Sequence, residues 1–344
     1  MTLSDLICLL LAALLGFAAH RASLCNVRAV AEILELGRMR MLASLIIAVL
    51  WSMTVAGTVV LALHWPVASF PRRTPALLAA VGGYVFGVGA AINGGCSLST
   101  LQRLADGELA MFVTLTGVVL GMLLWASLEA LGIPTTLVIT VSPWEGMGVL
   151  PMVLLIGLWI WALQEAVRLW RRVPATNWLD RLWAPRYRLS SAAALLGIAG
   201  GILYTLQGSW TYTYLLRTQI ASALGMTPAM AGKALLVMAL LIGMLISAVQ
   251  RHSFAPRLPR RRELFSCLAG GVLMGLGAAV LPGGNDTLLL TGLPSLSIFA
   301  LANYTALLAG IASALLLLRR ARRQAPQQVK NPDPAQAAHP RIHS

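Results

Sequence analysis

The stretch GVGAAINGGCSLS, Gly87–Ser99, decides how this chain is read. An apolar, helix-like run ends in Asn93-Gly94-Gly95, passes through Cys96 and restarts at Ser97. Paired glycines turn tightly and break a helix. Inside a bilayer such a break persists only where protein or a water-filled cavity satisfies the freed backbone groups. A broken helix at membrane depth therefore predicts a lined cavity, with Cys96 at its tip and at the start of a second, short helix. The pattern recurs at Gly275–Thr287, GLGAAVLPGGNDT. With one residue inserted near Pro282, Gly87 aligns with Gly275 and Gly89-Ala90-Ala91 with Gly277-Ala278-Ala279. Gly94-Gly95 then align with Gly283-Gly284, and Cys96 with Asn285.

Working outward, the 344 residues are 58% hydrophobic and 11% charged, the profile of an all-α polytopic membrane protein rather than a soluble domain. Nine apolar runs are long enough to be candidate spans, at roughly 2–19, 41–63, 75–92, 109–132, 149–169, 190–206, 230–250, 264–281 and 296–318. With the N-terminus outside, 22 of the 26 Lys and Arg residues fall on inner segments, a strong positive-inside bias. The net charge of +14 is thus a topology signal, and nucleic-acid binding is set aside. Only Asp5 is charged before the first apolar run, so no signal peptide is predicted. Residues 321–344, rich in Pro, Gln and Ala, read as a disordered cytoplasmic tail after a single transmembrane domain over 1–320.

This topology gives the recurring motif its meaning. Residues 2–132 hold four spans and start outside, 149–169 is a connector, and 190–319 hold four spans and start inside. The two units are then inverted repeats, an architecture that places a substrate site near the midplane where broken helices meet. Each unit has a second polar interruption after its first span: His20–Asn26 in one and Gln207–Tyr212 in the other. Four short re-entrant helices would meet at the waist of an hourglass.

The candidate substrate path follows from these breaks: Cys96, Cys25, Gly94, Gly95, Ser97, Asn93, Gly283, Gly284, Asn285, Asp286, Trp210 and Arg21. Ser99, Ser209, Thr211, Thr287 and Gln207 lie beside them. Thiols are weak, soft donors, and helix N-termini favour anions. Together they suit a small, polarisable anion. Plainer readings stand beside these. Cys8 and Cys267 read as core packing, and Asp286 as a helix cap. Arg21 and Arg28 read either as inner anchors or as anion attractors at the inner mouth. Trp210 reads as interfacial belt or pore lining, and Lys233 as a snorkelling side chain. No CxxC pair, metal-ligand spacing or nucleotide motif is present, so no metal, cofactor or enzymatic activity is expected.

The residues Gly87–Ser97, Arg21–Cys25 (RASLC) and Gly275–Asp286 resemble the YeeE/YedE sulphur-transport family, whose best known members are bacterial inner-membrane importers of thiosulfate, over about 2–319. The resemblance implies a multi-pass protein of the bacterial inner membrane, N-terminus periplasmic and C-terminus cytoplasmic. It implies passage of a small sulphur-containing anion by S–H hydrogen bonds from cysteines, with Cys96 as the first-half motif cysteine. It also implies a docking partner on the cytoplasmic face, a soluble TusA-like sulphurtransferase. The chain departs from the pattern in its second half, where Asn285 stands at the expected Gly-Gly-Cys cysteine and Trp210 or Thr211 near the other position. The alternatives are another sulphur or selenium species, a membrane-embedded sulphurtransferase carrying a persulfide on Cys96, or a scaffold for a soluble sulphur-handling protein.

Overall fold

Four long helices each stop at a kink and hand over to a short one, and these four breaks organise the molecule. The computed structural model describes residues 2–65, 67, 70, 74–132, 142–145, 148–171, 187–225 and 231–324. Helix α1 (Leu3–Ala22) breaks before α2 (Asn26–Leu36), and α4 (Ala76–Asn93) breaks before α5 (Ser97–Ala105). Helix α3 (Arg40–Leu63) lies between them and α6 (Ala110–Ala130) follows. After α7 (Val149–Arg171) the order repeats. Helix α8 (Leu189–Gln207) breaks before α9 (Tyr212–Ala223), and α10 (Ala231–Gln250) follows. Helix α11 (Arg261–Val280) breaks before the single turn α12 (Asn285–Thr287), which runs on into a π-helical turn, Leu288–Gly292. Helix α13 (Ile298–Gln324) closes the chain.

Among the described residues nine helical segments are long and apolar enough to span a membrane, and every regular element is helical. The predicted interruptions at His20–Asn26 and Gln207–Tyr212 fall on the α1/α2 and α8/α9 breaks. Most of the residues assigned to a disordered tail, 325–344, lie outside the described residues. So do several of the arginines counted in the charge bias: Arg72, Arg73, Arg172, Arg181 and Arg186.

A break inside a membrane frees carbonyls that must find donors. Here side chains from other elements supply them. At the end of α1, Ala19 O accepts from Gln102 Nε2 (3.1 Å) and His20 O from Arg251 Nη1 (3.2 Å). At the end of α4, Asn93 O accepts from Arg103 Nη1 (3.3 Å). At the α8/α9 break, Ser209 O accepts from Lys233 Nζ (2.7 Å). At the end of α11, Ala279 O accepts from Arg217 Nε (2.9 Å) and Val280 O from Thr74 Oγ1 (3.1 Å). Three arginines and a lysine thus meet helix C-termini, where the backbone dipole favours a cation. The snorkelling expected of Lys233 gives way to this inward bond.

The closest helix pairings cross between the two units. Helix α11 packs between α4 and α6, α13 lies on α4, α1 on α10 and α8, and α3 on α8. Glycines allow the backbones to approach: an added Cβ at Gly89 on α4 would sit 2.7 Å from Gly270 O on α11. Connector α7 packs on α3 and leaves most of its apolar surface outward, including Leu150, Val153, Ile156 and Trp170. A turn at Pro143–Glu145 ties the units again: buried Trp144 donates its indole N–H to Pro294 O (2.8 Å), and Ser142 Oγ donates to Ser295 O (2.9 Å).

Candidate functional site

The first-unit breaks bring two cysteines together. Cys25 is the N-cap of α2 and Cys96 the N-cap of α5, both in extended backbone, so each sulfur lies at a short-helix start. The two thiols are 2% and 1% exposed and interact with each other. Cys25 also faces the Cys96 and Arg28 backbone N–H groups and the Ser99 hydroxyl, and Cys96 faces the N–H groups of Asn26 and Ser99. Each thiol therefore sees its own helix N-terminus and the opposite one. Gly94 makes the turn possible: its φ is 73°, and its N–H and that of Gly95 bond back to Ala91 O and Ala90 O.

The second-unit breaks bring hydroxyls and a carboxylate to α5. Ser97, next to Cys96, donates its backbone N–H to Asn285 Oδ1 (3.2 Å). Its hydroxyl is shared between Asn285 Oδ1 and Asp286 Oδ1. Asp286 also accepts from the Thr213 hydroxyl (2.5 Å, Oδ1) and the Thr213 N–H (3.3 Å, Oδ2). With the Thr213 proton directed at the carboxylate, Thr287 donates to Thr213 (3.0 Å) and Thr211 to Thr287 (2.6 Å). Gly284 N–H donates to Thr213 as well (2.8 Å). The result is a one-way chain of hydroxyls ending on Asp286. Tyr212 reaches Ser97 from the same helix start.

The register of the two Gly-Gly pairs differs. In the first unit Cys96 caps α5 and Ser97 begins it; in the second Gly284 caps α12 and Asn285 begins it. By helix position Cys96 thus matches Gly284 and Ser97 matches Asn285, one residue from the alignment read in the sequence. The spacing that aligns Gly87 with Gly275 then continues unbroken through Ser97 and Asn285, so the inserted residue read near Pro282 is not needed.

Several candidates have other partners. Asn93 is fully engaged: Nδ2 donates to Gly95 O (3.0 Å) and Thr100 Oγ1 (3.2 Å), and Oδ1 accepts from Thr114 Oγ1 (2.7 Å). It knits the break together. Gln207 turns to Cys8, at 3.6 Å. Arg21 is 2% exposed, bonds Gln250 Oε1 (2.7 Å) and lies 4.4 Å over the Phe17 ring. Cys267 packs with Ala110 and Met111. Trp210 is fully buried, and its indole N–H has no partner among the described residues.

A polar vestibule of about 210 Å³ leads away from Cys25. Ser99, Gln102, Arg103 and Asp106 line it at helical spacing along one face of α5 and its end, with Arg28 and His20 opposite. Arg28 is exposed here, so of the two arginines flanking the first break it is the one that opens onto this cavity. A larger cleft of about 410 Å³ between α5, α6, α9 and α10 is lined mainly by Leu, Val and Phe, with Thr116 and Tyr212 the polar exceptions, and offers little to an anion.

Two features of this region were not read from sequence. Asn26, directly after Cys25, is buried; its Oδ1 accepts from Tyr304 (2.9 Å) while its Nδ2 has no partner among the described residues. Its place after a cap cysteine, like that of Ser97, was the available signal. The other is a latch at the vestibule rim. His20 Nε2 lies 3.1 Å from Asp106 Oδ1 and His20 Nδ1 lies 3.0 Å from Ser247 Oγ, while Ser253 Oγ donates to Asp106 (2.5 Å). Burial raises the Asp106 carboxyl, but bonds to His20 and Ser253 and the nearby Arg251 outweigh it, and the net shift is downward. A depressed carboxyl stabilises the fold fully above its ordinary value of 3.8 and loses that contribution as pH falls through the folded value. Thermal midpoints recorded from pH 6 downward should therefore fall more steeply below about pH 4 in the wild type than in Asp106→Asn. Parallel curves would show that the latch contributes nothing.

With this geometry in view, a family model described as Sulphur transport matches residues 21–313, spanning all four breaks. The chain belongs to the sulphur transport family. A curated relative, the thiosulfate transporter TsuA of Escherichia coli (strain K12), is 25% identical over 307 residues, covering 82% of this chain and 85% of its own length. As a member of the sulphur transport family with nine candidate spans among its described residues, the chain is a multi-pass membrane protein.

Proposed function

We propose that this chain is a passive or gradient-driven conduit for a small sulphur-containing anion, with thiosulfate the first substrate to try. The observation that carries the reading is the buried contact between Cys25 and Cys96 at two facing helix N-termini. Soft S–H donors and backbone N–H groups together suit an anion with an exposed, polarisable sulphur. Cys25 and Cys96 donate on one side, and Asn285 and the Ser97 and Thr213 N–H groups serve the other. Gly94, Gly95, Gly283 and Gly284 let backbone line the passage, and Trp210 adds an unused N–H. Arg28 draws the anion toward the vestibule.

The halves are inverted repeats about the midplane, supported by the repeated order of long, broken and short helices. The vestibule end is the cytoplasmic one. It carries Arg28, Arg103 and Arg251, and the Asp106–Leu109 and Ala255–Arg257 segments pair there. On this reading the N-terminus lies in the periplasm and the C-terminus in the cytoplasm of a bacterial inner membrane, with one transmembrane domain over 1–320. A soluble TusA-like sulphurtransferase docked on this basic face would receive the sulphur.

The test is uptake by vesicles carrying the purified chain, offered radiolabelled thiosulfate or its singly charged analogue methanethiosulfonate. The wild type should accumulate at least one of them, and Cys96→Ala should accumulate neither. Accumulation of neither by well-folded wild type, or equal accumulation by Cys96→Ala, overturns the proposal.

A further inference from the structure

Resting on the conduit reading above, we propose that Asp286 is a charge-selecting residue, which favours singly charged sulphur anions over doubly charged ones. Three observations converge on it. The residue is 4% exposed and sits on the turn that starts directly after the second Gly-Gly pair. Through Ser97 it is one residue along the chain from Cys96. Each group bonded to its carboxylate is a donor: the Ser97 hydroxyl, the Thr213 hydroxyl and the Thr213 N–H.

Those donors are the ones an anion would use. Ser97 N–H belongs to the N-terminus of α5 and Thr213 N–H to that of α9, and these helices hold 9 and 12 residues. In this structure Asn285 Oδ1 takes the first and Asp286 Oδ2 the second. The chain's own oxygens therefore fill both of these anion positions, and one of them brings a negative charge. A substrate moving past Cys96 must share or displace these bonds beside a carboxylate with little water around it. In such surroundings like charges a few ångströms apart repel strongly. A second charge on the substrate adds to that repulsion, while the first is offset by the thiols and helix ends around Cys25 and Cys96.

The same contacts would also fit a purely structural cap, so the test must separate the two. Thiosulfate and methanethiosulfonate share the terminal sulphur and the S–S bond and differ by one charge. Concentration-dependent uptake of each is measured in vesicles carrying wild-type chain, Asp286→Asn or Asp286→Ser. Asn keeps the shape and one acceptor; Ser gives a second neutral variant should Asn fail to fold.

The wild type should favour methanethiosulfonate by about tenfold or more, and neutralising Asp286 should shift the ratio toward thiosulfate by a similar factor. A wild type that prefers thiosulfate overturns the assignment without any variant. So does a neutral variant that lowers both uptakes in equal proportion, the result of a structural cap. If Cys96-dependent uptake persists in either case, only the role of Asp286 falls. If wild-type vesicles take up neither anion, both readings fall.

Discussion

Cys25→Ala, Cys96→Ala and the double variant should show the same residual uptake, each at least about a hundredfold below wild type. The equality is the informative part. The two thiols interact, and each faces the N-terminus of the other's helix as well as its own. An anion held between them takes both donors at once. Removing one leaves the second without the geometry that made it useful, so the second loss costs little. Groups that act as a unit are non-additive in this way, whereas independent sites multiply their effects. Initial uptake rates at subsaturating substrate, normalised to protein in monodisperse preparations, give the four corners of the cycle. Multiplicative losses would mean two independent weak contacts. A double variant that matches Cys96→Ala while Cys25→Ala retains wild-type rates would leave Cys25 as packing. Serine at either position keeps a donor but not the soft sulphur, so partial activity in Cys96→Ser would show that hydrogen bonding carries part of the effect.

What the sequence discloses and what it conceals divide along a physical line. Breaks are local: Asn93-Gly94-Gly95-Cys96 announces a turn from its own residues, and the structure breaks there, at Cys25 and at Trp210. Partners are not local. Arg21 and Arg28 carry equal weight in a charge count, yet Arg21 turns inward to Gln250, 229 positions away, while Arg28 lines the vestibule. Asn93 has the composition of a ligand-binding amide, but Thr114 and Thr100 take up its polar atoms. Asp286 next to Asn285 reads as a cap, and it does cap, but the helix it caps is α9 rather than its own. Lys233 reads as a snorkelling end and instead satisfies the broken α8/α9 backbone. Each reassignment involves a contact with another element of the fold, where the periodicity of a helix's own sequence carries no information. The Gly-Gly alignment slipped for a related reason: the second glycine pair stands one residue nearer its helix start than the first, and helix start rather than glycine count sets equivalence.

The interleaving of the two units makes the second large effect structural. Gly89→Val should prevent recovery of monodisperse protein, and Gly270→Val should do the same. Gly89 lies on α4 and Gly270 on α11, the two helices that end in the Gly-Gly breaks. A Cβ on Gly89 would stand 2.7 Å from Gly270 O, Met274 N and Leu273 Cβ; a Cβ on Gly270 would stand 2.7 Å from Gly89 O and Asn93 N. Two of the three neighbours in the first case, and both in the second, are backbone atoms, so no rotamer change relieves the clash. The helices must separate, and the separation spreads to Asn93, whose bonds hold the α4/α5 break. Overpacking that side chains can absorb typically costs about 1–3 kcal/mol, and a backbone clash at a helix crossing exceeds what repacking absorbs. The control is Gly157→Ala on α7, where an added Cβ meets nothing within 4 Å. It should match or slightly exceed wild-type stability through helix propensity alone, by up to about 1 kcal/mol. Size-exclusion profiles and thermal midpoints of the three variants decide the matter. A Gly89→Val protein that elutes and melts like wild type would mean that α4 and α11 do not pack backbone to backbone, and the placement of Cys96 against the second-unit turn would lose its support.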